Sequence, residues 1–237
     1  MTESEASPSG WRTATVIRIE QETARAKTFR LALPHPSPHL AGQHYVVRLT
    51  APDGYTASRS YSIASAPDDT NEVEITVERL DEGEVSTFLH DEVMVGDDLE
   101  IRGPIGLWFV WNGDAPALLV GGGSGVVPLM AMLRLARRGA RSDLVRLVVS
   151  VRTPDDLYYA DEIMGQETTL LYTRATPPAF PRPPGRLSIR DIPQPVAPGV
   201  RGYVCGSSGF ADAASDVLMD LGIPAERIRV ERFGPTG

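Results

Sequence analysis

The sequence has little cysteine and little histidine: Cys205 is its only cysteine, and there are four histidines among 237 residues. A single cysteine excludes an intrachain disulfide, and it excludes any four-cysteine iron–sulfur or zinc site built from this chain alone. With so few histidines, we expect no metal site. Any redox chemistry of this chain therefore requires an organic cofactor.

Long hydrophobic runs and an excess of positive charge are also missing. No segment approaches the roughly 18 apolar residues of a membrane span. The N-terminal stretch MTESEASPSG has neither the basic nor the apolar part of a signal peptide. We therefore expect a cytoplasmic protein with a disordered leader over residues 1–10 and a monomer as the default state. A net charge of −8 argues against binding to nucleic acid or to an anionic membrane.

Two parts of the chain differ in periodicity. Over residues 11–111 apolar residues alternate with polar ones, as in VEITVE at 73–78. Alternation of this kind is typical of antiparallel strands with one solvated face. Turn sequences such as Pro52-Asp53-Gly54 separate the strands. We predict an antiparallel Greek-key β-barrel here.

The second part, residues 112–237, has continuous apolar strands instead. These are ALLV, LVRLVVSV, TLLYT and GYVC, at residues 117–120, 144–151, 169–173 and 202–205. Stretches with helical spacing of apolar residues lie at 126–139 and 211–222. The pattern predicts an α/β fold with a parallel sheet covered on both faces, and Asn112-Gly113-Asp114 marks the boundary between the parts.

A glycine turn, GGGSGVVP at 121–128, joins a predicted strand to a predicted helix. Such a turn lets backbone N–H groups at a helix N-terminus approach a pyrophosphate, although it also occurs for packing alone. Pro128 stands where the dinucleotide fingerprint GxGxxG has its third glycine, which argues against the usual dehydrogenase arrangement. Gly123, Ser124 and Gly125 are the candidate pyrophosphate residues.

The strand after this turn is followed by Arg152, where NAD enzymes commonly place an acidic residue for the ribose hydroxyl. An arginine favours a 2′-phosphate, so we expect NADPH as the donor, with NADH possible. Arg174 and Arg186 follow later elements and are candidates for the same phosphate. The alternative is that each is an ordinary solvated loop arginine.

The stretch SRSYSIAS at 58–65 places Arg59 and Tyr61 on one face of a strand and Ser62 on the other. A cation beside a flat aromatic ring suits a planar, anionic ligand. A surface arginine packed over a tyrosine is the alternative.

Six motifs in this order resemble the ferredoxin–NADP reductase family. They are RxYS at 59–62, GxxS at 83–86, GPxG at 103–106, GxGxxP at 123–128, YVCGSSGF at 203–210 and V-E-x-aromatic at 230–233. The resemblance implies a flavoprotein that binds FAD in the barrel and NADPH on the parallel sheet.

The resemblance also implies roles for single residues of the barrel. Arg59 would bind the flavin pyrophosphate, Tyr61 would lie against the isoalloxazine, and Ser62 would hydrogen-bond near N5. The segment with Gly83, Ser86 and Thr87 would offer backbone N–H groups to the diphosphate.

In the second part, the resemblance places Cys205 beside the nicotinamide ring. Glu231 would assist positioning or proton balance, and Phe233 would cover the other face of the flavin. In the family this aromatic residue lies at or near the chain end, whereas here the residues GPTG follow it.

The implied function is a FAD-dependent NAD(P)H oxidoreductase that passes electrons to a separate acceptor, namely a ferredoxin, a flavodoxin or a partner redox enzyme. Two alternatives stay open: a flavin reductase that supplies reduced flavin to a monooxygenase, and a flavin-binding subunit of a larger complex without turnover. Arg134, Arg137, Arg138 and Arg141 form either a docking face for an acidic carrier or an ordinary solvated helix face.

Overall fold

A computed structural model describes residues 10–194 and 196–233. The leader predicted for residues 1–10 lies outside the described residues, apart from Gly10. Within the described ranges, no helix is both long enough and apolar enough to cross a membrane.

The first part of the chain is a six-stranded antiparallel barrel with one helix. Its elements are β1 (Arg12–Thr23), β2 (Ala26–Ala32), β3 (His44–Thr50), β4 (Thr56–Ser62), β5 (Glu72–Glu78), α1 (Glu84–Asp91) and β6 (Asp98–Ile105). The strand order is β4-β3-β6-β1-β2-β5, and a bridge between Ile63 and Ile75 joins the two edges. The connections from β2 to β3 and from β5 to β6 each pass two intervening strands, as in a Greek key.

The second part is a five-stranded parallel sheet with helices. Its elements are β7 (Ala117–Gly122), α2 (Val126–Arg138), β8 (Val145–Val151), β9 (Thr168–Tyr172), β10 (Arg201–Ser207), α3 (Ser208–Asp220) and β11 (Ile228–Phe233). The strand order is β11-β10-β7-β8-β9. The predicted fold class, a barrel followed by a parallel α/β sheet, is confirmed. The predicted division at residues 111–112 falls between β6 and β7 and stays a prediction.

One buried cluster spans both parts of the chain. It contains Ala41 and Ala64 from the barrel side, Trp111 from the connection, and Leu129 of α2 and Cys205 of β10 from the α/β side. At its edge the rings of Phe109 and Tyr203 meet edge to face, with centroids 5.5 Å apart. Apolar burial therefore holds the barrel against the face of the parallel sheet that α2 covers.

A network of charged groups holds α2 to the barrel beside this cluster. Arg134 of α2 places Nη1 2.6 Å from Oε2 of Glu74 in β5, and Nη2 2.5 Å from Oε2 of Glu162. Arg134 Nη1 also donates to the carbonyl oxygen of Ala64 (3.0 Å), and Arg30 binds the other oxygen of Glu74 at 2.7 Å. The Arg134 and Glu74 side chains are only 19% and 11% exposed, so water screens this pair weakly.

The possible docking face on α2 is not a free basic surface. Arg134 pairs with Glu74 and Glu162, Arg137 with Glu167, and Arg138 with Asp68. Three of the four arginines in the proposed cluster are therefore already neutralised by carboxylates of the same chain. A free docking face does not describe these three arginines. An ordinary solvated face describes Arg138, whose side chain is 53% exposed, but not Arg134 or Arg137, which are 19% and 27% exposed.

We expect Arg134→Ala to lower the free energy of unfolding by about 3 kcal/mol, because it removes the partner of Glu74 Oε2 and of the Ala64 carbonyl in a largely buried site and leaves Glu74 with Arg30 alone. Urea unfolding measures the loss. The matched control is Arg138→Ala, whose guanidinium is 53% exposed and whose loss should stay below about 1 kcal/mol. Equal losses in the two variants would contradict a special contribution of Arg134.

Candidate functional site

The three residues of the RxYS motif lie at the end of β4. In the antiparallel register with β3, Tyr61 is opposite Tyr45 and Ser62 is opposite His44. Arg59 lies two residues before Tyr61 and shares its side of the strand, as the alternation predicts. The strand then leads through Ile63 into the bridge that closes the barrel.

Arg59 is exposed, and its guanidinium donates from Nη1 to the carbonyl oxygen of Ser58 at 2.7 Å. No carboxylate within the described residues forms an ion pair with it. The positive charge is therefore available to an anionic ligand.

Tyr61 is half-buried against the barrel core, and this burial raises the pKa of its phenol, so the ring is neutral at any physiological pH. Ser62 is 7% exposed.

Helix α1 begins beside this strand. Tyr55, next to β4, donates from its hydroxyl to Oε2 of Glu84, the first residue of the helix (3.1 Å). The helix has no side-chain cap at Gly83, so the first N–H groups of the helix are open to a ligand. The free N–H donors and the positive end of the helix dipole at this end of α1 suit a diphosphate, whereas the carboxylate of Glu84 in the first turn does not.

The segment from Gly83 to Thr87 only partly matches its predicted use. Gly83 N–H donates to the carbonyl oxygen of Leu80 (3.0 Å), and Thr87 N–H donates to that of Gly83 (2.8 Å). Of the three predicted residues, only Ser86 therefore keeps an N–H group that no backbone carbonyl of the described residues accepts. The Ser86 hydroxyl is buried, accepts from Leu80 N–H and donates to Gly83 O. A side chain at Gly83 would collide with Ser86, which explains the glycine.

The glycine turn occupies the junction of β7 and α2, where residues 123–125 form one 3₁₀ turn that contains Ser124. Gly123 has φ +55°, and a Cβ there would meet no protein atom within 4 Å, so its surroundings are open. Gly125 is different, since a Cβ there would lie 2.7 Å from the backbone nitrogen of Gly206 and closer still to the carbonyl of Cys205. One glycine therefore leaves room for a ligand, and the other lets α2 pack on β10.

The order in which strands are added to the sheet reverses between β7 and β10. From the central strand β7 the chain adds β8 and β9 on one side and then β10 and β11 on the other. Ligands of open α/β sheets bind at the carboxyl ends of the strands at this point. The glycine turn and Cys205 both lie there, because Cys205 pairs with Gly121 of β7.

Cys205 and Glu231 are neighbours across β10 and β11. Cys205 is fully buried, and its burial together with the nearby Glu231 raises the pKa of the thiol, so it is a neutral thiol. Burial also raises the pKa of Glu231 to about 7. The pair therefore combines an apolar, uncharged sulfur with a carboxyl group that changes charge near neutral pH.

Phe233 ends the described range at the same edge of the sheet. It pairs with Ser207 of β10 and packs against the cluster shared by the two parts of the chain. This placement puts an aromatic ring on the side of the sheet where Cys205 lies. Its predicted contact with a flavin stays a prediction.

The backbone segments that carry the three candidate arginines of the 2′-phosphate site are hydrogen-bonded to one another. Arg174 N–H and Ala175 N–H both donate to the carbonyl oxygen of Arg152, at 2.9 and 3.2 Å, and Gly185 N–H donates to Tyr172 O at 2.9 Å. The three arginines therefore lie in, or directly after, segments whose backbones are hydrogen-bonded to one another. All three side chains are exposed, and no ion pair joins them to a carboxylate in the part of the chain that the structure describes.

Sequence reasoning gave no role to Phe210, the aromatic residue of YVCGSSGF. A Cβ added at either Gly122 or Gly206 would lie 2.7 Å from its ring. The ring therefore packs over two glycines at the ends of β7 and β10. The nearby glycines in the sequence are the signal that could have indicated such close packing.

Comparison with known proteins agrees with this geometry. Residues 13–110 match the family described as oxidoreductase FAD-binding domain. The chain is 29% identical over 233 residues to the ferredoxin–NAD(P)⁺ reductase component of naphthalene 1,2-dioxygenase/salicylate 5-hydroxylase systems from a Ralstonia species, covering 94% of this chain and 69% of that protein. It is 34% identical over 258 residues to a flavohemoprotein of Chromobacterium violaceum, covering 95% and 61%.

Among solved structures, the flavohem-like FAD/NAD binding domain of nitric oxide dioxygenase from Vibrio cholerae has a TM-score of 0.85 at 25% identity, and 94% of this chain and 99% of that one are covered. Residues 13–110 belong to the oxidoreductase FAD-binding domain family. The fold is that of a FAD- and NAD(P)-binding oxidoreductase, and over 94% of its length the chain is similar to a ferredoxin–NAD(P)⁺ reductase component. It spans 61% to 69% of the length of its relatives.

The raised pKa of Glu231 predicts a pH-dependent loss of stability. Between pH 4.5 and 7 the unfolded chain releases a proton that the folded chain retains, so the folded state loses stability as the pH rises, and the loss is complete above about pH 7. We expect Glu231→Gln to be more stable than the wild type by on the order of 2 kcal/mol at pH 8 and equally stable near pH 4.5.

Urea unfolding across this pH range tests the effect. Glu226→Gln, which changes an exposed carboxyl just before β11, is the control and should show no such trend. A constant difference between wild type and Glu231→Gln at every pH would mean that the carboxyl titrates normally.

Proposed function

We propose that this chain takes hydride from NADPH onto FAD and passes the electrons to a separate acceptor protein. The observation that carries the proposal is the shared cluster: Ala64, two residues after Ser62, and Cys205 both belong to it. The segment after β4 and the carboxyl edge of the parallel sheet therefore pack against the same helix, α2, which fixes the barrel relative to the sheet. We propose that two planar rings bound by these two parts of the chain are held close enough for hydride transfer.

The barrel supplies the flavin side of this site. Arg59 and the open N–H groups at the start of α1 bind the diphosphate, Tyr61 lies along the isoalloxazine, and Ser62 offers a small hydroxyl beside it. FAD, when bound, accepts two electrons as hydride and can release them singly. We assign to the protein the remaining tasks of orientation, exclusion of water and control of charge.

The parallel sheet supplies the nucleotide side. Gly123 and Ser124 would face the nucleotide pyrophosphate, Gly125 lets α2 pack on β10, and Cys205 would offer an uncharged sulfur beside the nicotinamide. Glu231 holds a proton near neutral pH at its carboxyl oxygen. Phe233 would cover the other face of the flavin.

We propose NADPH rather than NADH because three exposed arginines, Arg152, Arg174 and Arg186, lie on hydrogen-bonded backbone segments near the carboxyl ends of β8 and β9. No acidic residue follows β8 directly, where a carboxylate would bind a free ribose hydroxyl. A guanidinium group binds phosphate through two parallel donors.

For the acceptor we propose a redox centre in a partner protein. Relatives are named as reductase components of a naphthalene dioxygenase system and of propane 2-monooxygenase. Ferredoxin, flavodoxin and the oxygenase itself are the candidate partners. A flavin reductase and a flavin-binding subunit without turnover are the competing functions, and each predicts a different result below.

An absorbance spectrum and an anaerobic titration test the function. We expect the purified chain to keep a yellow flavin through gel filtration, NADPH to bleach it, and ferricyanide to be reduced in turnover. Loss of the flavin on the column would favour a flavin reductase. Retained flavin that NADPH never bleaches would favour the subunit without turnover, and a chain that binds no added FAD would refute the proposal.

Replacing Arg152 tests the choice of donor. We expect Arg152→Asp to lower kcat/KM for NADPH about thirtyfold, equivalent to about 2 kcal/mol, and to leave kcat/KM for NADH within about twofold. Arg201→Asp, at the amino end of β10 and far from the carboxyl edge, is the matched control. Equal losses with both nucleotides would mean that Arg152 does not contact the 2′-phosphate.

A further inference from the structure

The proline-rich segment ATPPAFPRPPGR (175–186) between β9 and β10 is folded around one arginine. Arg182 uses all five of its N–H donors inside this segment and the turn that follows it. Nε and Nη2 bind the two oxygens of Asp191, at 2.5 and 3.0 Å. Nη1 donates to Pro183 O and Gly185 O, and Nη2 donates to Arg186 O at 2.8 Å.

Asp191 is itself held in place. Its side chain is 8% exposed, and Oδ2 accepts from both the N–H and the hydroxyl of Ser188, at 2.8 and 2.9 Å. Burial alone would raise the pKa of Asp191, but the donors from Arg182 and Ser188 bring it below the ordinary value. The ion pair therefore joins two chain segments through a fixed, charged anchor.

The segment is also fixed to the sheet. The ring of Phe180 packs edge to face on Tyr172, the last residue of β9, with centroids 4.9 Å apart. Gly185 N–H donates to Tyr172 O at 2.9 Å. These contacts return the chain to the end of β9. Arg186 directly follows Gly185, and Arg174 lies two residues after Tyr172, so the two arginines are carried by neighbouring backbone.

We propose that Arg182 is a positioning residue for NADPH: it holds the Pro183–Arg186 turn so that Arg186 faces the 2′-phosphate beside Arg152 and Arg174. The proposal depends on the NADPH preference proposed above. Arg182 does not bind the phosphate itself, because its five donors are already used. The proline-rich segment is then a rigid support for nucleotide specificity.

Measuring the affinity of the chain for two adenosine nucleotides tests this proposal independently of the proposed hydride transfer, because nucleotide binding needs no turnover. The probes are adenosine 2′,5′-bisphosphate and 5′-AMP, which differ by the 2′-phosphate, and calorimetry on the full chain gives both Kd values. For the wild type we expect the bisphosphate to bind at least thirtyfold tighter. For Arg182→Ala and Asp191→Ala we expect that ratio to fall about tenfold, with the Kd of 5′-AMP unchanged.

Arg190→Ala is the matched control, since Arg190 is an exposed arginine of the same turn as Asp191 and is expected to leave the ratio unchanged. Arg182→Lys keeps the charge without the five donors, so it should lose the ratio as Arg182→Ala does. In kinetics, KM for NADPH should rise in the Arg182 variants while kcat and the NADH constants stay the same.

Three results would overturn the proposal. A wild-type ratio kept in Arg182→Ala would show that Arg186 needs no support, and full recovery in Arg182→Lys would assign the effect to charge alone. A wild type that does not prefer the bisphosphate would instead refute the NADPH preference itself. Should Arg182→Ala fail to fold, Ser188→Ala, which removes one donor to Asp191, replaces it with a smaller expected loss in the same ratio.

Discussion

The position of helix α2 is the constraint on which both halves of the site depend. At its N-terminus, Gly125 allows the helix to lie against the backbone of Cys205 and Gly206, an approach that no other residue permits. At its other end, Arg134 reaches Glu74 of the barrel and the carbonyl oxygen of Ala64. One short helix therefore fixes the glycine turn relative to the end of β4. A shift of about 1 Å in this helix would separate the two rings that must meet for hydride transfer.

Local patterns were enough to predict the architecture, because period-two alternation, continuous apolar strands and a strand–glycine–helix junction each depend on near neighbours. Charge partners do not follow from such patterns. Arg134 reads as part of a basic helix face, but its partners Glu74 and Glu162 lie 60 and 28 residues away in the sequence. The proposed role of Arg182 could not be predicted from the sequence for a related reason. Only the folded loop shows that all five N–H donors of Arg182 bind acceptors within the loop and the turn that follows it. Similarly, the sequence could indicate a diphosphate-binding turn at residues 83–87, but not which N–H groups the helix itself uses.

At the carboxyl edge of the sheet, the partly buried carboxyl group of Glu231 costs stability when it is charged, and the fold alone does not require a carboxyl group there. Glu231 lies beside a buried thiol, and its pKa is raised to about 7 because burial opposes its charged form. A hydrophobic residue of similar size would avoid that cost. Conflicts of this kind concentrate at functional sites, where a group that changes charge near neutral pH is useful. In the proposed function, the same property would let the Glu231 carboxyl be either neutral or charged beside a bound nicotinamide near neutral pH.

The distribution of charge narrows the kind of acceptor. Residues 11–111 contain 16 acidic and 9 basic residues, whereas residues 112–237 contain 13 acidic and 14 basic ones, so the barrel carries most of the negative charge. A carrier that approaches the flavin from the barrel side meets this charge, and the arginines of α2 do not offset it because they are paired within the chain. An acidic ferredoxin would be repelled there, and its reduction would become faster as added salt screens the repulsion. A partner with a basic docking surface would show the opposite dependence, so the sign of the salt effect distinguishes the two kinds of acceptor before either has been identified.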